Sequence, residues 1–127
     1  MSEKPQILIV DDEMDMCWAL ESILIPKGYK SYSVTSGKEG LELLKQLYPS
    51  VRLIFLDVKL PDIDGLKLAN LIKQYYPEIK IALITGYYYR DTLSVQQGLA
   101  KGLFDYFIGK PFNISEIRLT IENSFLS

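Results

Sequence analysis

The stretch VRLIFLDVKLPDIDG, residues 51–65, opens with a nearly continuous apolar run that leads directly into Asp57. A run of this kind, followed by polar residues and glycine, is typical of a strand buried on both faces in a parallel sheet. A second apolar run, ILIV at 7–10, leads into the acidic pair Asp11 and Asp12. The sequence therefore predicts two buried strands that each end in carboxylates.

The rest of the chain repeats the pattern of a short apolar run followed by a longer amphipathic stretch. Strands are predicted at 6–10, 30–34, 51–56, 80–84 and 104–108, and helices at 13–26, 37–48, 64–76, 90–101 and 113–125. Five such units in 127 residues predict one α/β domain over 1–127, a doubly wound (βα)5 flavodoxin-like fold with a five-stranded parallel sheet.

The strand order decides which residues become neighbours. Right-handed crossovers allow few orders, and the order 2-1-3-4-5 places the first and third strands side by side. Ligands of such sheets bind beyond the carboxyl ends of the strands. We therefore expect Asp11, Asp12 and Asp57 to lie together, with Thr85 and Lys110 facing the same crevice.

Composition excludes several classes of function. The net charge is −2 and the 14 Lys and Arg residues are dispersed, so the chain lacks the basic patch of a nucleic-acid-binding protein. It has neither a long apolar stretch nor a signal-peptide core, which predicts a cytoplasmic protein that makes no membrane contact. It also has no histidine, which excludes His-dependent nucleophiles and a phosphohistidine donor within this chain. The single Cys17 is expected to pack in the core.

Several ordered motifs together resemble the receiver domain of bacterial two-component response regulators. These are VDDE at 10–13, LDVKLPDIDG at 56–65, ITG at 84–86, DY at 105–106 and KPF at 110–112. The resemblance covers essentially the whole chain. It implies that Asp57 accepts a phosphoryl group, that Thr85 and Lys110 contact the phosphoryl oxygens, and that the Lys110–Pro111 peptide is cis. It further implies a Mg²⁺ site formed by Asp11, Asp12, Asp57 and the backbone carbonyl of Lys59.

The chemistry of these residues agrees with that expectation. Carboxylate ligands without Cys or His favour Mg²⁺ over zinc. Phosphoryl transfer requires mainly positioning and charge stabilisation, and a carboxylate that is already ionised needs no general base. The resemblance thus implies a phosphorylation-activated switch that catalyses its own phosphotransfer and slow dephosphorylation, rather than a multiple-turnover enzyme.

The expected partners follow from the same resemblance. The phosphoryl donor would be a sensor histidine kinase or a phosphotransfer protein. The output would go to a downstream protein or to an effector domain outside this chain, and homodimerisation on phosphorylation stays open.

Two other functions remain as alternatives. One is a receiver-like interaction module that is not phosphorylated. The other is an aspartyl-phosphate phosphatase of the haloacid dehalogenase type, although those enzymes usually carry a second Asp where this chain has Lys59. Glu13 could contact the waters of the metal, or simply favour the dipole of the first helix. Asp62 and Asp64 precede the third helix, where a capping carboxylate is the default, and Gly65 is predicted to be a turn residue.

The segment between Thr85 and Lys110 is longer than is typical of the family. Counting back from Lys110 gives Phe107 as the aromatic switch residue of the fifth strand, whereas matching the DY motif gives Tyr106. Tyr106 is favoured here, with a bulge near 108–109. The aromatic run Tyr87, Tyr88 and Tyr89 is predicted either to line the crevice or a partner-facing surface, or to pack on the fourth helix.

Overall fold

The computed structural model describes residues 4–86 and 93–125. Its strands are β1 (Gln6–Val10), β2 (Ser31–Val34), β3 (Val51–Asp57), β4 (Lys80–Gly86) and β5 (Tyr106–Lys110). Its helices are α1 (Met14–Leu24), α2 (Gly37–Leu47), α3 (Gly65–Tyr75), α4 (Leu93–Ala100) and α5 (Ile114–Phe125). The run Tyr87, Tyr88 and Tyr89 lies outside the described residues.

The strands form one parallel sheet in the order β2-β1-β3-β4-β5, which confirms the predicted fold class. Strand β3 lies in the centre, and its side chains alternate between two helix layers. Leu53 and Phe55 face the layer that contains Leu20 of α1 and Ile117 of α5. The intervening residues face the layer formed by α2, α3 and α4. Burial on both faces explains why β3 is apolar at nearly every position.

Two helices begin where capping-box spacing predicted them. The Oγ of Ser36 accepts a hydrogen bond from the amide of Glu39 at 3.2 Å. At the start of α5, Asn113 Oδ1 accepts from the amide of Glu116, and Glu116 Oε1 accepts from the amide of Asn113. Each contact satisfies a backbone donor that has no partner within the helix.

Two predicted elements differ from the structure. Helix α1 ends at Leu24 and continues only as a 3-10 turn, Ile25–Lys27, because Pro26 cannot continue the helical hydrogen bonds. Strand β5 begins at Tyr106, two residues later than predicted, and its pairing with β4 is continuous from Tyr106 to Lys110. The bulge predicted near 108–109 was therefore wrong.

The described α-helices are 8 to 12 residues long. None combines the length and the apolar character that a transmembrane span requires.

Candidate functional site

An open crevice lies at the carboxyl ends of the central strands. The side chains of Asp57 from β3, Thr85 from β4 and Lys110 from β5 reach it because each residue ends or nearly ends its strand. The turn after β1 supplies the acids that follow Val10. The lining residues are Asp12, Glu13, Asp57, Lys59, Thr85, Gly86 and Lys110.

Four carboxylates converge beside this crevice. One ligand oxygen from each of Asp11, Asp12, Glu13 and Asp57 lies within 4.8 Å of the others. Asp11 and Asp57 are buried, whereas Asp12 and Glu13 are exposed at the mouth. The structure thus brings together the three aspartates that the predicted strand order made neighbours. Like charges at this separation repel one another strongly unless cations neutralise them.

Lys110 is the cation that partly neutralises the cluster. Its Nζ lies 2.9 Å from Asp11 Oδ2, 3.0 Å from Glu13 Oε1 and 3.4 Å from Asp57 Oδ2. The lysine points inward, as the sequence predicted, and the Lys110–Pro111 peptide is cis. One ammonium facing four carboxylates leaves the site with an excess of negative charge.

The surroundings shift the pKa values of both Asp57 and Lys110. Burial, and then the charge of Asp11, raise the pKa of Asp57 from 3.8 to about 6, although Lys110 acts in the opposite direction. Asp57 therefore remains largely ionised at neutral pH. Burial alone lowers the pKa of Lys110, but hydrogen bonding to Asp11 and the charge of Asp57 outweigh it and raise that pKa. Lys110 is accordingly a permanent cation.

Thr85 completes the wall of the crevice. The residue is 1% exposed, and its Oγ1 has no hydrogen-bond partner among the residues that the structure describes. A buried hydroxyl without a partner is costly, so its position calls for an explanation. Because Thr85 lines the crevice, a group bound there could accept this hydrogen bond.

The acidic cluster is suited to a hard divalent cation. All its side-chain donors are carboxylate oxygens, the ligand type that Mg²⁺ prefers, and one oxygen from each lies within 4.8 Å of the others. Lys59 also reaches the crevice, and its amide lies 3.4 Å from Asp57 Oδ1. The carboxylate donor set therefore fits a hard divalent cation such as Mg²⁺.

The loop between β3 and α3 is fixed by contacts that sequence reasoning only partly predicted. Asp64 caps α3 as expected, since its Oδ1 accepts from the amide of Leu66 at 2.8 Å. Asp62 instead accepts from the amides of Gly37 and Lys38, both at 2.9 Å, and so caps α2. These backbone hydrogen bonds lower the pKa of Asp62. This cap joins residues far apart in sequence, so no local pattern could have predicted it.

Gly65 has a role beyond that of a turn residue. Its amide donates to the carbonyl of Val58 at 2.7 Å. A Cβ atom at position 65 would lie 2.3 Å from the carbonyl oxygen of Asp57 and 2.6 Å from Cα of Val58. Only glycine lets α3 begin this close to the backbone of the acidic site.

The structure places Tyr106 away from Thr85. Side chains alternate along a strand, so Tyr106 shares a face with Ile108, and both pack towards α1 and α5. Phe107 faces the opposite helix layer together with its neighbour Leu83, two residues before Thr85. With no bulge in the β4–β5 pairing, Phe107 rather than Tyr106 lies on the Thr85 side of the sheet.

Glu13 is the site residue whose contact was missed. It was predicted to meet the waters of a metal or to favour the dipole of α1, and the structure adds a contact with Lys110, whose Nζ donates to Glu13 Oε1. Its position directly after Asp11 and Asp12 was the sequence signal that Glu13 belongs to the acidic site. The partner could not be predicted because Lys110 is 97 residues away in sequence.

Comparison with known proteins agrees with this geometry. The sequence profile described as "Response regulator receiver domain" matches residues 7–122. Sporulation initiation phosphotransferase F of Bacillus subtilis is 31% identical over 118 residues, which are 93% of this chain and 90% of that protein. The DNA-binding transcriptional regulator NtrC of Proteus hauseri is 30% identical over 96% of this chain, which spans 25% of the length of that relative.

A solved structure is also similar. The receiver domain of NtrX from Brucella abortus superimposes with a TM-score of 0.84 at 29% identity, covering 94% of this chain and 97% of that one. The profile match spans most of the chain, and its matched range includes every residue of the acidic crevice. The chain therefore belongs to the response regulator receiver domain family, the phosphorylation-based signalling switches of two-component systems.

Proposed function

We propose that Asp57 accepts a phosphoryl group from the phosphohistidine of a sensor histidine kinase or a phosphotransfer protein, in a Mg²⁺-dependent reaction. The observation that carries the proposal is the position of Lys110, which contacts Asp11, Glu13 and Asp57 around one open crevice. This arrangement provides a nucleophile, a cation and room for a ligand at the same point.

In the transfer, an oxygen of Asp57 attacks phosphorus from the side opposite the donor. The new O–P bond forms as the P–N bond to the imidazole of the donor breaks, and the electron pair leaves on the imidazole nitrogen. Lys110 donates to a phosphoryl oxygen and offsets its charge. The Thr85 hydroxyl, which otherwise has no partner among the described residues, donates to another.

The divalent ion would be held by Asp11, Asp12, Asp57 and the carbonyl of Lys59. When bound, Mg²⁺ would supply positive charge for the phosphoryl oxygens. The side chains of this chain contribute the rest, since Lys110 and Thr85 orient the group and Asp57 supplies the electron pair.

Intact-mass measurement tests the phosphoacceptor. The wild-type protein is incubated with Mg²⁺ and a small acyl phosphate, and it should gain roughly 80 Da, the mass of one phosphoryl group. Asp57→Asn should not gain this mass. Asp64→Asn is the matched control, because its side chain caps α3 outside the crevice and Asn is also a good cap. If the wild type stays unmodified, the non-phosphorylated interaction module becomes the better description.

We further propose that Phe107, rather than Tyr106, transmits the phosphorylation state. Its ring centroid lies 6.4 Å from that of Phe104, which in turn packs against Gly98 of α4. A shift of the Thr85 hydroxyl towards a phosphoryl group would change the space on this face of the sheet. The output surface would then include α4.

Amide chemical shifts measured before and after phosphorylation test this route. In Phe107→Leu, the shifts of α4 should respond much less to phosphorylation than in the wild type. Tyr106→Leu is the matched control because it alters the opposite face of the same strand. Loss of the α4 response in Tyr106→Leu alone would restore Tyr106 as the switch residue.

A further inference from the structure

Glu13 differs from the other acids that contact Lys110. Its side chain is 64% exposed, whereas those of Asp11 and Asp57 are 3% and 6% exposed. Its Oε1 lies 3.0 Å from Lys110 Nζ, closer than the 3.4 Å of Asp57 Oδ2. The lysine therefore connects two buried carboxylates with one that is open to solvent.

We propose that Glu13 is a positioning residue that restrains Lys110 and thereby slows phosphoryl acceptance at Asp57. This inference rests on the proposed function. An ammonium group has three N–H donors, and Asp11, Glu13 and Asp57 each place a carboxylate oxygen within 3.4 Å of it. An incoming phosphoryl oxygen has to replace one of them before Lys110 can stabilise it.

Glu13 is the acceptor that is replaced at the lowest cost. Asp11 and Asp57 are buried, so water cannot replace the ionic contact that either would lose if Lys110 moved away. The carboxylate of Glu13 instead regains water when Lys110 leaves it. The contact between Glu13 and Lys110 is therefore the one that opens during phosphorylation.

Glu13 also affects the donor directly. Its negative charge lies at the mouth of the crevice and repels the anionic phosphoryl group as it approaches. Restraint of Lys110 and repulsion of the donor act in the same direction, so neutralising Glu13 should accelerate phosphorylation.

The test compares Glu13→Gln with the wild type at saturating Mg²⁺, using a small acyl phosphate as the donor and intact mass as the measurement. We expect phosphorylation to be about two- to fivefold faster, the range for loss of one exposed ion pair. Asp15→Asn is the matched control, with the same change of charge two residues further along, and its rate should equal that of the wild type. Equal acceleration in both variants would mean that net charge alone acts, and would overturn the proposal.

A double-mutant cycle tests whether Glu13 acts through Lys110. In a Lys110→Met background, Glu13→Gln should accelerate phosphorylation less than it does in the wild type, because only the repulsion of the donor remains to be relieved. Independently of any phosphorylation, the unfolding midpoints of the two single variants and the double variant should be non-additive, because the contact exists in the resting protein. Additive midpoints would overturn the proposed contact even if Asp57 is phosphorylated normally. If the midpoints are non-additive but the wild type takes up no phosphoryl group, the contact between Glu13 and Lys110 stands. The proposed function, and with it the effect on rate, would then be overturned.

Discussion

Gly65 lies directly against the backbone of Asp57, with no space between them for a side chain. The residue that starts α3 thereby fixes the peptide that carries the acidic site. Stability and site geometry thus depend on the same contact.

Gly65→Ala should lower the free energy of unfolding by about 1–3 kcal/mol, because the added methyl group meets backbone atoms that cannot rotate away. Urea denaturation measures the change. Gly109→Ala is the control, since a Cβ atom there would meet nothing within 4 Å. Similar stability of the two variants would contradict the close approach.

Asp62→Ala should destabilise the protein at neutral pH and have progressively less effect as the pH falls. The hydrogen bonds from Gly37 and Lys38 lower the pKa of Asp62 in the folded state. A lowered pKa contributes stability above the unfolded-state pKa, and this contribution is lost as the pH falls through the folded-state pKa. Urea midpoints for both proteins between pH 7 and pH 3 should therefore converge on the acidic side. A constant difference would show that the cap does not depend on charge.

Thr85→Val should retain or increase the free energy of unfolding, by up to about 1 kcal/mol, because it replaces a buried hydroxyl that has no partner among the described residues. The same change should weaken the response to phosphorylation, which amide shifts can report. Thr120→Val is the opposite case, because Thr120 Oγ1 donates to the carbonyl of Glu116 at 2.8 Å. Loss of this hydrogen bond should lower the free energy of unfolding by about 1 kcal/mol. If Thr85→Val were the less stable variant, its hydroxyl would already be satisfied in the resting protein.

Asp105→Ala should cost about 1–3 kcal/mol of stability, because it removes the acceptor of the Ile81 amide and the carboxylate partner of Lys73. Asp105 Oδ2 lies 2.6 Å from Lys73 Nζ and accepts from the amide of Ile81 at 2.9 Å. Thermal or urea denaturation measures the loss. Lys80→Met is the control, since Lys80 is 4.0 Å from Asp105 and 46% exposed. An equal loss of stability in both variants would show that the effect comes from general surface charge and not from the contacts of Asp105.

The sequence predicted features that depend on local periodicity. The apolar runs identified β1, β3 and β4, the alternation of short runs with amphipathic stretches placed β2 and, two residues too early, β5, and the capping-box spacing identified the starts of α2 and α5. The neighbourhood of Asp11, Asp12 and Asp57 followed from the strand order, because the carboxyl ends of adjacent parallel strands meet at one edge.

The features that were missed depend on distant contacts or on strand register. The cap from Asp62 to α2 and the contact from Glu13 to Lys110 each join segments that only the folded chain brings together. To choose between Tyr106 and Phe107, one must know which face of the sheet each residue of β5 points to. A motif match does not show which face a side chain takes. One additional residue in the strand moves every following side chain to the other face of the sheet.

The central position of β3 limits where a phosphorylation signal can arise. Its backbone pairs with β1 as far as Leu56 on one side and with β4 as far as Asp57 on the other. Amides in such a strand exchange with solvent only in rare, nearly global openings. The proposed acceptor Asp57 should consequently keep its position while neighbouring segments adjust. Hydrogen exchange should therefore report phosphorylation first in the peripheral segments around α4.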